Sequence, residues 1–353
     1  MPRVTFEPIG EEIDCDEEET ILDAAFREGY SLVYGCREGQ CSACKCYLLE
    51  GEVVLKPYSS FALSESEETQ GYTLLCRAMP EEDLVVELLH FDPDNYKLDV
   101  PIRDGRARVS DVEELTHDIS RVELEVLDPI DFSFLPGQYV DIHLPDCDDR
   151  RSFSLANLPG NGRLELFVKR YAGGRFAGLL EDGLEVGTEF GFTGPYGAFH
   201  LRDAEAPILM VAGGSGMAPE LGVLRELART RSSRQVRFFY GARRRADLFH
   251  LDVIEELGNE IANFTFVPVL SEAQGDDDWN GAVGYVHEEA SRFLDAGGFG
   301  EEPHAYLCGP PPMVDATLEA LVERHGLEER DIHYDKFISS AAGDGTGQEE
   351  TAP

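Results

Sequence analysis

Basic side chains are scarce in this chain. Its 353 residues include 30 lysines and arginines against 69 aspartates and glutamates, which gives a formal net charge of −39 at pH 7. Nucleic acids and anionic membranes attract proteins through basic patches, so neither is an expected partner. Residues 1–99 alone carry 23 acidic and 7 basic side chains. That acidity either steers the segment toward a basic face on a partner protein or only keeps the chain soluble, and the sequence leaves both alternatives open.

Long apolar runs are also missing. No stretch of 18 or more apolar residues occurs, so no transmembrane helix is predicted. The first residues lack a basic region followed by an apolar one, so no signal peptide is predicted. The cysteines do not resemble the disulfide framework of a small secreted domain, which favours a cytoplasmic location. The length predicts two or three domains, and a monomer is expected.

Four of the eight cysteines carry the most specific pattern in the chain. Three lie close together in Cys36-Arg-Glu-Gly-Gln-Cys41-Ser-Ala-Cys44, and the fourth is Cys76. This is the plant-type spacing of a [2Fe–2S] cluster, and the small residues between the thiols suit a loop whose N–H groups point at sulfur. A zinc site is less favoured, because zinc ligands usually come as two close pairs and only Cys41 and Cys44 form one. Cys46 is interpreted as a packed strand residue.

The hydrophobic pattern divides the chain into three folded segments. Residues 1–99 are predicted to form a small α+β, β-grasp-like module with a helix capped by Thr20. Residues 100–203 carry short alternating strands and turns, which predict an antiparallel β-barrel. Residues 204–338 alternate strands with helices, which predicts an α/β domain with a parallel sheet. Residues 339–353 have little to pack and are expected to be disordered.

A glycine-rich loop opens the third segment. Gly213-Gly-Ser-Gly-Met-Ala-Pro219 follows a predicted strand at Pro207–Ala212 and precedes a helix. Glycines let backbone approach a pyrophosphate, and a helix N-terminus presents unpaired N–H groups to it. The loop is neither a GxGxxG fingerprint nor a Walker loop, which disfavours an ordinary Rossmann dehydrogenase or a P-loop NTPase. Taken alone, the glycines could equally serve packing only.

Two further motifs in the barrel segment suit a cofactor. Arg151-Ser-Phe-Ser154 combines a guanidinium for a pyrophosphate, a ring for stacking and a hydroxyl for a ring nitrogen. Downstream, Lys169-Arg-Tyr-Ala-Gly173-Gly174-Arg-Phe places cations and glycines before a predicted helix, which suits a phosphate. Each motif has a plain structural alternative, such as a surface arginine or a core phenylalanine.

The order of these motifs, ending in Cys308-Gly309-Pro310, resembles the ferredoxin–NADP reductase superfamily from about Val109 to Phe337. The first hundred residues resemble plant-type ferredoxins. The resemblance implies that Ser154 hydrogen-bonds the flavin, that Cys308 lies where nicotinamide approaches it, and that Phe337 covers the flavin face; these three are the predicted catalytic residues. Members often have a hydroxyl residue where this chain has Ala177.

The residues that the resemblance and the motifs together assign to cofactor binding are Arg151, Ser152, Phe153, Ser154, Lys169, Gly173, Gly174, Gly213, Gly214, Gly216, Pro219, Gly309, Pro310 and Phe337. The predicted metal ligands are Cys36, Cys41, Cys44 and Cys76.

The domain order further resembles the reductase components of bacterial soluble di-iron multicomponent monooxygenases, on Ile332–Phe337, Tyr240–Arg243 and Asp247–Phe249. This resemblance implies an NADH-dependent oxidoreductase that passes electrons from NADH through FAD and a [2Fe–2S] cluster to a hydroxylase. A flavin is needed because it takes two electrons and releases them singly. The chain has no ligand set for oxygen chemistry of its own, so that chemistry is assigned to the partner.

Alternatives remain at this stage. The acceptor could be a Rieske ring-hydroxylating dioxygenase or a deoxysugar-pathway dehydratase, or the chain could be a redox sensor without turnover. Arg243, Arg244 and Arg245 follow the second strand, where the 2′-phosphate of NADPH could bind, but NADH is favoured because a basic run is a weak discriminator.

Overall fold

The structure is a computed structural model, and it describes the chain except for residues 17, 92–95, 146–148, 172, 274–278 and 338–353. The expected disordered tail, residues 339–353, therefore lies outside the described residues. So do residues 92–95, which are half of Phe91–Leu98, the segment expected to connect the first two folded segments. The chain divides into two compact units, Met1–Arg103 and a second that begins at Asp104. The boundaries predicted at residues 99 and 203 stay predictions.

The first unit is a small mixed sheet with one well-packed helix. Its elements are β1 Arg3–Glu7, β2 Glu11–Asp14, α1 Ile21–Arg27, β3 Lys45–Glu50, β4 Val53–Leu55, α2 Glu65–Thr69, β5 Tyr72–Leu74, β6 Ala78–Pro80 and β7 Leu84–Leu88. The five-stranded sheet has the order β2-β1-β7-β3-β5, and β1 runs parallel to β7. Helix α1 begins where expected, because the Thr20 hydroxyl accepts a hydrogen bond from the Asp23 N–H at 3.2 Å. The β-grasp-like prediction is confirmed.

The second unit begins with an antiparallel barrel. Its elements are β8 Arg103–Glu114, β9 Ile119–Asp128, β10 Tyr139–His143, β11 Arg150–Ser154, β12 Arg163–Lys169, α3 Arg175–Glu181 and β13 Glu189–Tyr196. The strand order is β11-β10-β13-β8-β9-β12, and a bridge between Leu155 and Leu166 joins its two ends. The interior is apolar, with Phe192 and Leu124 fully buried. The predicted barrel is confirmed.

The rest of the second unit is a parallel sheet covered by helices. Its elements are β14 Ile208–Gly213, α4 Met217–Thr230, β15 Val236–Ala242, α5 Leu251–Glu260, β16 Phe264–Leu270, β17 Ala282–Val283, α6 Val286–Asp295, β18 His304–Gly309, α7 Pro311–Glu319 and β19 Ile332–Lys336. The order is β17-β16-β15-β14-β18-β19, with every pair parallel. The central strand β14 is buried along its whole length, as a strand covered on both faces should be. This α/β prediction is also confirmed.

Two helices differ from the sequence-based boundaries. Helix α5 was predicted from Asp247 but begins at Leu251, because Leu248 is extended and His250 takes a left-handed φ of +52°. The Phe249 ring packs against Phe167 at 5.6 Å, and this tertiary contact overrides the local helical pattern. Helix α7 ends at Glu319 and continues as a π-helical turn over Ala320–Arg324. Among the helices that the structure describes, none has the length and apolar character needed to cross a bilayer.

Candidate cofactor sites

The cysteine loop directs backbone N–H groups at sulfur. The N–H groups of Gln40 and Cys41 donate to Cys36 Sγ at 3.2 and 3.3 Å, and the Cys36 N–H donates to Cys41 Sγ at 3.3 Å. Gly39 supports the turn with a φ of +68°, and an added Cβ there would lie 2.8 Å from Tyr58 Cβ. The hydrogen bond from Cys41 lowers the pKa of Cys36 to about 5 and raises that of Cys41. The loop thus stabilises a thiolate, the form that binds iron.

The four predicted ligands form two pairs. The Cys36 and Cys41 side chains hydrogen-bond to each other, and so do the Cys44 and Cys76 side chains. The Cys76 sulfur also accepts a hydrogen bond from the Gly39 N–H. Burial and the contact with Cys44 raise the pKa of Cys76. Within the described residues no three histidine, cysteine, aspartate or glutamate side chains form a site for a single ion. Two thiol pairs match a two-iron cluster, in which each iron takes two protein ligands.

The predicted flavin motif lies on β11, next to the start of α3. The Phe153 ring packs edge-on against Phe176 at 4.8 Å, which brings the motif to the turn at Gly173 and Gly174. Gly173 has a φ of +75°, and no side chain caps α3 at Gly174. Ser154 is buried at the end of the strand. The residues proposed to hold flavin are therefore neighbours in space.

Asp149 joins two cations at this turn. Its carboxylate lies 2.5 Å from Arg151 Nη1 and 3.2 Å from Arg175 Nη1. Burial raises the pKa of Asp149, but Arg151 and Arg175 outweigh burial and lower it. The two guanidinium groups outnumber the Asp149 carboxylate, so the glycine turn carries a net positive charge that attracts a pyrophosphate. Ser152, by contrast, is exposed, and its hydroxyl donates to Asp141 Oδ1 at 2.6 Å.

The glycine-rich loop Gly213–Pro219, which we call the nucleotide loop, packs against the end of β18 and leaves no room there for side chains. A Cβ on Gly216 would lie 2.2 Å from the Cys308 carbonyl oxygen, and one on Gly309 would lie 2.7 Å from the Gly213 oxygen. Gly214 adopts a φ of +58°, and its carbonyl accepts a hydrogen bond from the Tyr240 hydroxyl at 2.9 Å. The glycines are therefore required by backbone contact, and the loop contacts the end of β18 at Cys308.

The proposed nicotinamide end of the site is assembled at the same place. Cys308 is fully buried, and burial raises its pKa well above the ordinary value, so the thiol is neutral. The Phe337 N–H donates to the Gly309 oxygen at 2.9 Å, which fixes the late aromatic residue beside the turn. Pro310 precedes α7 as its N-cap, and Pro219 is buried in the first turn of α4.

Lys169 lies in a different place from the one its motif suggested. Its ammonium group is 3.6 Å from the Cβ position of Gly214 and 3.2 Å from Asp118 Oδ2, so it faces the nucleotide loop. Sequence reasoning missed Asp118 and Asp149, because no motif marks them, and it gave Tyr240 no role in the site. Their roles come from contacts with residues that are distant in the sequence.

Three family models match the chain in the order of these sites. A 2Fe-2S iron-sulfur cluster binding domain matches residues 4–81, an oxidoreductase FAD-binding domain matches 106–201, and an oxidoreductase NAD-binding domain matches 210–319. The reductase component of propane 2-monooxygenase from Rhodococcus jostii (strain RHA1) is 46% identical over 345 residues, which cover 96% of this chain and 92% of that protein. The chain belongs to the family of monooxygenase reductase components. It is therefore an iron–sulfur flavoprotein oxidoreductase whose cofactors are a [2Fe–2S] cluster, FAD and a nicotinamide nucleotide.

Other relatives of this reductase extend the comparison. The phenol 2-monooxygenase reductase component DmpP of Pseudomonas sp. (strain CF600) is 40% identical over 97% of this chain and 96% of its own. The crystal structure of the Amycolatopsis cytochrome P450 reductase GcoB superposes with a TM-score of 0.84 at 34% identity, covering 96% of this chain and 99% of that one. The fold, the cofactor classes and the reductase assignment are confirmed, whereas the roles of individual site residues stay predictions.

Replacing Gly216 by alanine should damage the nucleotide loop. Its methyl group would meet the Cys308 carbonyl at 2.2 Å, so we expect a loss of about 1–3 kcal/mol of stability and impaired reduction of the flavin by nucleotide. Gly178→Ala is the matched control, because that helical site has no atom within 4 Å and should gain up to about 1 kcal/mol. Urea unfolding measures the stability of both variants, and stopped-flow absorbance measures the rate of flavin reduction. Equal stability and equal reduction rates in Gly216→Ala and Gly178→Ala would contradict the packing described.

Replacing Cys41 by serine should interrupt electron flow at the cluster. We expect nicotinamide nucleotide still to reduce the flavin, while reduction of cytochrome c falls to the background rate. Cys46→Ala is the control: Cys46 is fully buried beside Cys76 but outside the predicted ligand set, so this variant should keep its iron. Iron analysis and cytochrome c assays check both variants; normal cytochrome c reduction by Cys41→Ser would exclude Cys41 as a ligand.

Proposed function

We propose that this reductase oxidises NADH and delivers electrons, through FAD and the [2Fe–2S] cluster, to the hydroxylase of a soluble di-iron monooxygenase that oxidises a hydrocarbon or a phenol. The observation that carries the proposal is the presence of all three cofactor regions in one chain with 46% identity to a propane 2-monooxygenase reductase component. The proposal includes the predicted site roles: four cysteine ligands, Arg151–Ser154 and the Gly173 turn for flavin, and the Gly213 loop for the nucleotide.

The choice of NADH is supported by carboxylates around the arginine run. Glu272 lies 4.0 Å from the Arg244 guanidinium, and Asp247 accepts the Arg244 N–H at 2.9 Å. A 2′-phosphate needs cations whose charge is not already balanced, whereas a ribose hydroxyl is suited to a carboxylate. The Glu272 carboxylate beside the Arg244 guanidinium therefore supports a nucleotide without that phosphate.

The proposed acceptor is tested by reconstitution. The loaded reductase and NADH are combined in parallel with a purified propane-type di-iron hydroxylase, a Rieske dioxygenase and a cytochrome P450, and product is measured per NADH consumed. We expect coupled product formation with the di-iron hydroxylase, and none when the Cys41→Ser reductase is used. Coupling only to one of the other two oxygenases would reject the proposed partner.

A cytochrome P450 is the second candidate acceptor, and it has a specific observation in its favour. The GcoB crystal structure, a cytochrome P450 reductase, covers 96% of this chain at a TM-score of 0.84. Its 34% identity is lower than the 46% found for the propane 2-monooxygenase component, so the di-iron hydroxylase is the preferred partner. The parallel reconstitution separates the two.

The nucleotide preference is tested by removing the carboxylate partner of Arg244. An exposed ion pair contributes about 0.2–1 kcal/mol, so Glu272→Ala should raise kcat/KM for NADPH relative to NADH several-fold. Glu256→Ala on the exposed face of α5 is the control and should leave the ratio unchanged. Steady-state kinetics with both nucleotides measure it; an unchanged ratio for Glu272→Ala would remove this carboxylate from the selection.

A further inference from the structure

One face of the paired strands β18 and β19 is lined by titratable side chains. The six residues, which we call the β18–β19 ladder, are His304, Tyr306, Cys308, Asp331, His333 and Asp335. They form three cross-strand pairs: Tyr306 is in register with His333, Cys308 is in register with Asp335, and His304 Nε2 lies 3.6 Å from Asp331 Oδ1.

The pattern is unusual for buried parallel strands, which normally carry apolar residues on both faces. The opposite face keeps that rule, with Ala305, Leu307 and Ile332 in an apolar cluster. On the ladder face, Tyr306 and Cys308 of β18 are fully buried. The other four members are half-buried, and β19 is the edge strand of the sheet. Burying polar groups without partners is costly, so the inner part of the ladder calls for a function.

Neighbouring members of the ladder are in close contact. The Tyr306 and His333 rings lie 5.0 Å apart, and the His304 and His333 rings lie 5.8 Å apart. Among the residues that the structure describes, none is a hydrogen-bond partner of the buried ring nitrogens His304 Nδ1 and His333 Nε2. Each therefore has a proton-accepting or proton-donating position that the rest of the protein does not occupy.

The two ends of the ladder lie at different places in the domain. At one end the Asp331 side chain is 29% exposed, so it can exchange protons with solvent. At the other end Asp335 and Cys308 are followed directly by the turn that holds Phe337, since Gly309 accepts the Phe337 N–H. The ladder thus connects the edge of the sheet with the proposed flavin site.

The charge states along the ladder are compatible with proton movement. Burial raises the pKa of Asp335 to about 7, so it can take up or release a proton near neutral pH. Burial and the cations around it, chiefly Arg202, lower the pKa of His333 to about 3. His333 is therefore neutral, and a neutral imidazole can accept a proton on one nitrogen and donate from the other.

Charged groups on the neighbouring elements face both ends. Arg202, Arg234 and His200 lie around His333 and disfavour a positive charge on it. At the active-site end, the fully buried Glu220 of α4 interacts electrostatically with Tyr306 and Cys308, and burial raises the pKa of Glu220 well above its ordinary value. The cations around His333 therefore prevent a proton from being retained there as a stable imidazolium.

The reductase reaction requires such movement. Each NADH gives one hydride, which carries two electrons and one proton. Full reduction of the flavin takes up one further proton, and its reoxidation by two single-electron transfers releases both, because the cluster accepts only electrons. We propose that the β18–β19 ladder conducts these protons between Asp331 at the edge of the sheet and Asp335 at the flavin site.

The direct test follows protons and electrons separately in the loaded enzyme. Flavin reduction by NADH is recorded by absorbance, and proton uptake is recorded with a pH-indicator dye in weakly buffered solution. In the wild type both signals should rise together. In His333→Phe we expect hydride transfer to continue while proton uptake falls behind by about tenfold or more, and added imidazole should restore it.

Two further variants keep this test decisive. Tyr334→Phe changes the neighbouring residue, which is 50% exposed and lies off the ladder, and should behave as the wild type. Tyr306→Phe removes only a hydroxyl and should reproduce the proton lag if His333→Phe fails to bind FAD. Proton uptake that keeps pace with flavin reduction in both ladder variants, or a lag that imidazole does not relieve, overturns the proposal. No oxygenase is used, so the outcome is independent of the proposed acceptor.

A second readout needs no turnover. Because the pKa of Asp335 is raised in the folded state from 3.8 to about 7, the unfolded carboxyl loses its proton first, and the free energy of unfolding should fall as pH rises from about 4 to about 7. Asp335→Asn should lose this part of the pH dependence in urea unfolding of the loaded chain. An identical pH dependence in both proteins would remove Asp335 as the inner end of the ladder.

Discussion

The contact of backbone with backbone between the Gly213 loop and the end of β18 organises the second unit. Gly216 and Gly309 leave no space for a Cβ against the carbonyl groups of Cys308 and Gly213. This contact seats the nucleotide loop at the carboxyl edge of the central strand, beside the thiol of Cys308. It also sets the position of Phe337, whose N–H bonds to the same turn. The proposed meeting point of nicotinamide and flavin is thus defined by chain geometry before any side chain takes part.

In the first unit, too, backbone groups form the predicted cofactor site. Its loop turns N–H groups of Gln40 and Cys41 onto Cys36, which stabilises a thiolate in a partly buried place. Backbone dipoles supply positive potential to that sulfur. In both units the predicted cofactor site is formed mainly by backbone whose conformation requires glycine. In the second unit, side chains such as Asp149 and Lys169 adjust the charge around it.

The sequence predicted the features that depend on local spacing. These features are the cysteine pattern, the glycine loop and the alternation of strands and helices. Residues close together in the sequence form each of them, so local spacing predicts them. Strand β8 lacks a clear alternation, because arginines and acidic residues interrupt it, and α5 begins later than the sequence pattern indicates because Phe249 packs against Phe167. Two other contacts form between elements that are distant in the sequence, so no sequence motif predicts them. Asp149 joins Arg151 to Arg175, and Lys169 approaches Gly214. The ladder is visible only in part, since Tyr306 and His333 become neighbours through the register of two strands.

The account's central claim is that one chain moves electrons from a nicotinamide nucleotide through flavin to a [2Fe–2S] cluster. An anaerobic titration of the loaded protein with NADH, followed by absorbance of flavin and cluster together, tests it most directly. The account predicts that NADH bleaches the flavin and that the cluster absorbance then falls as well. A fully loaded protein in which NADH reduces neither centre would contradict it.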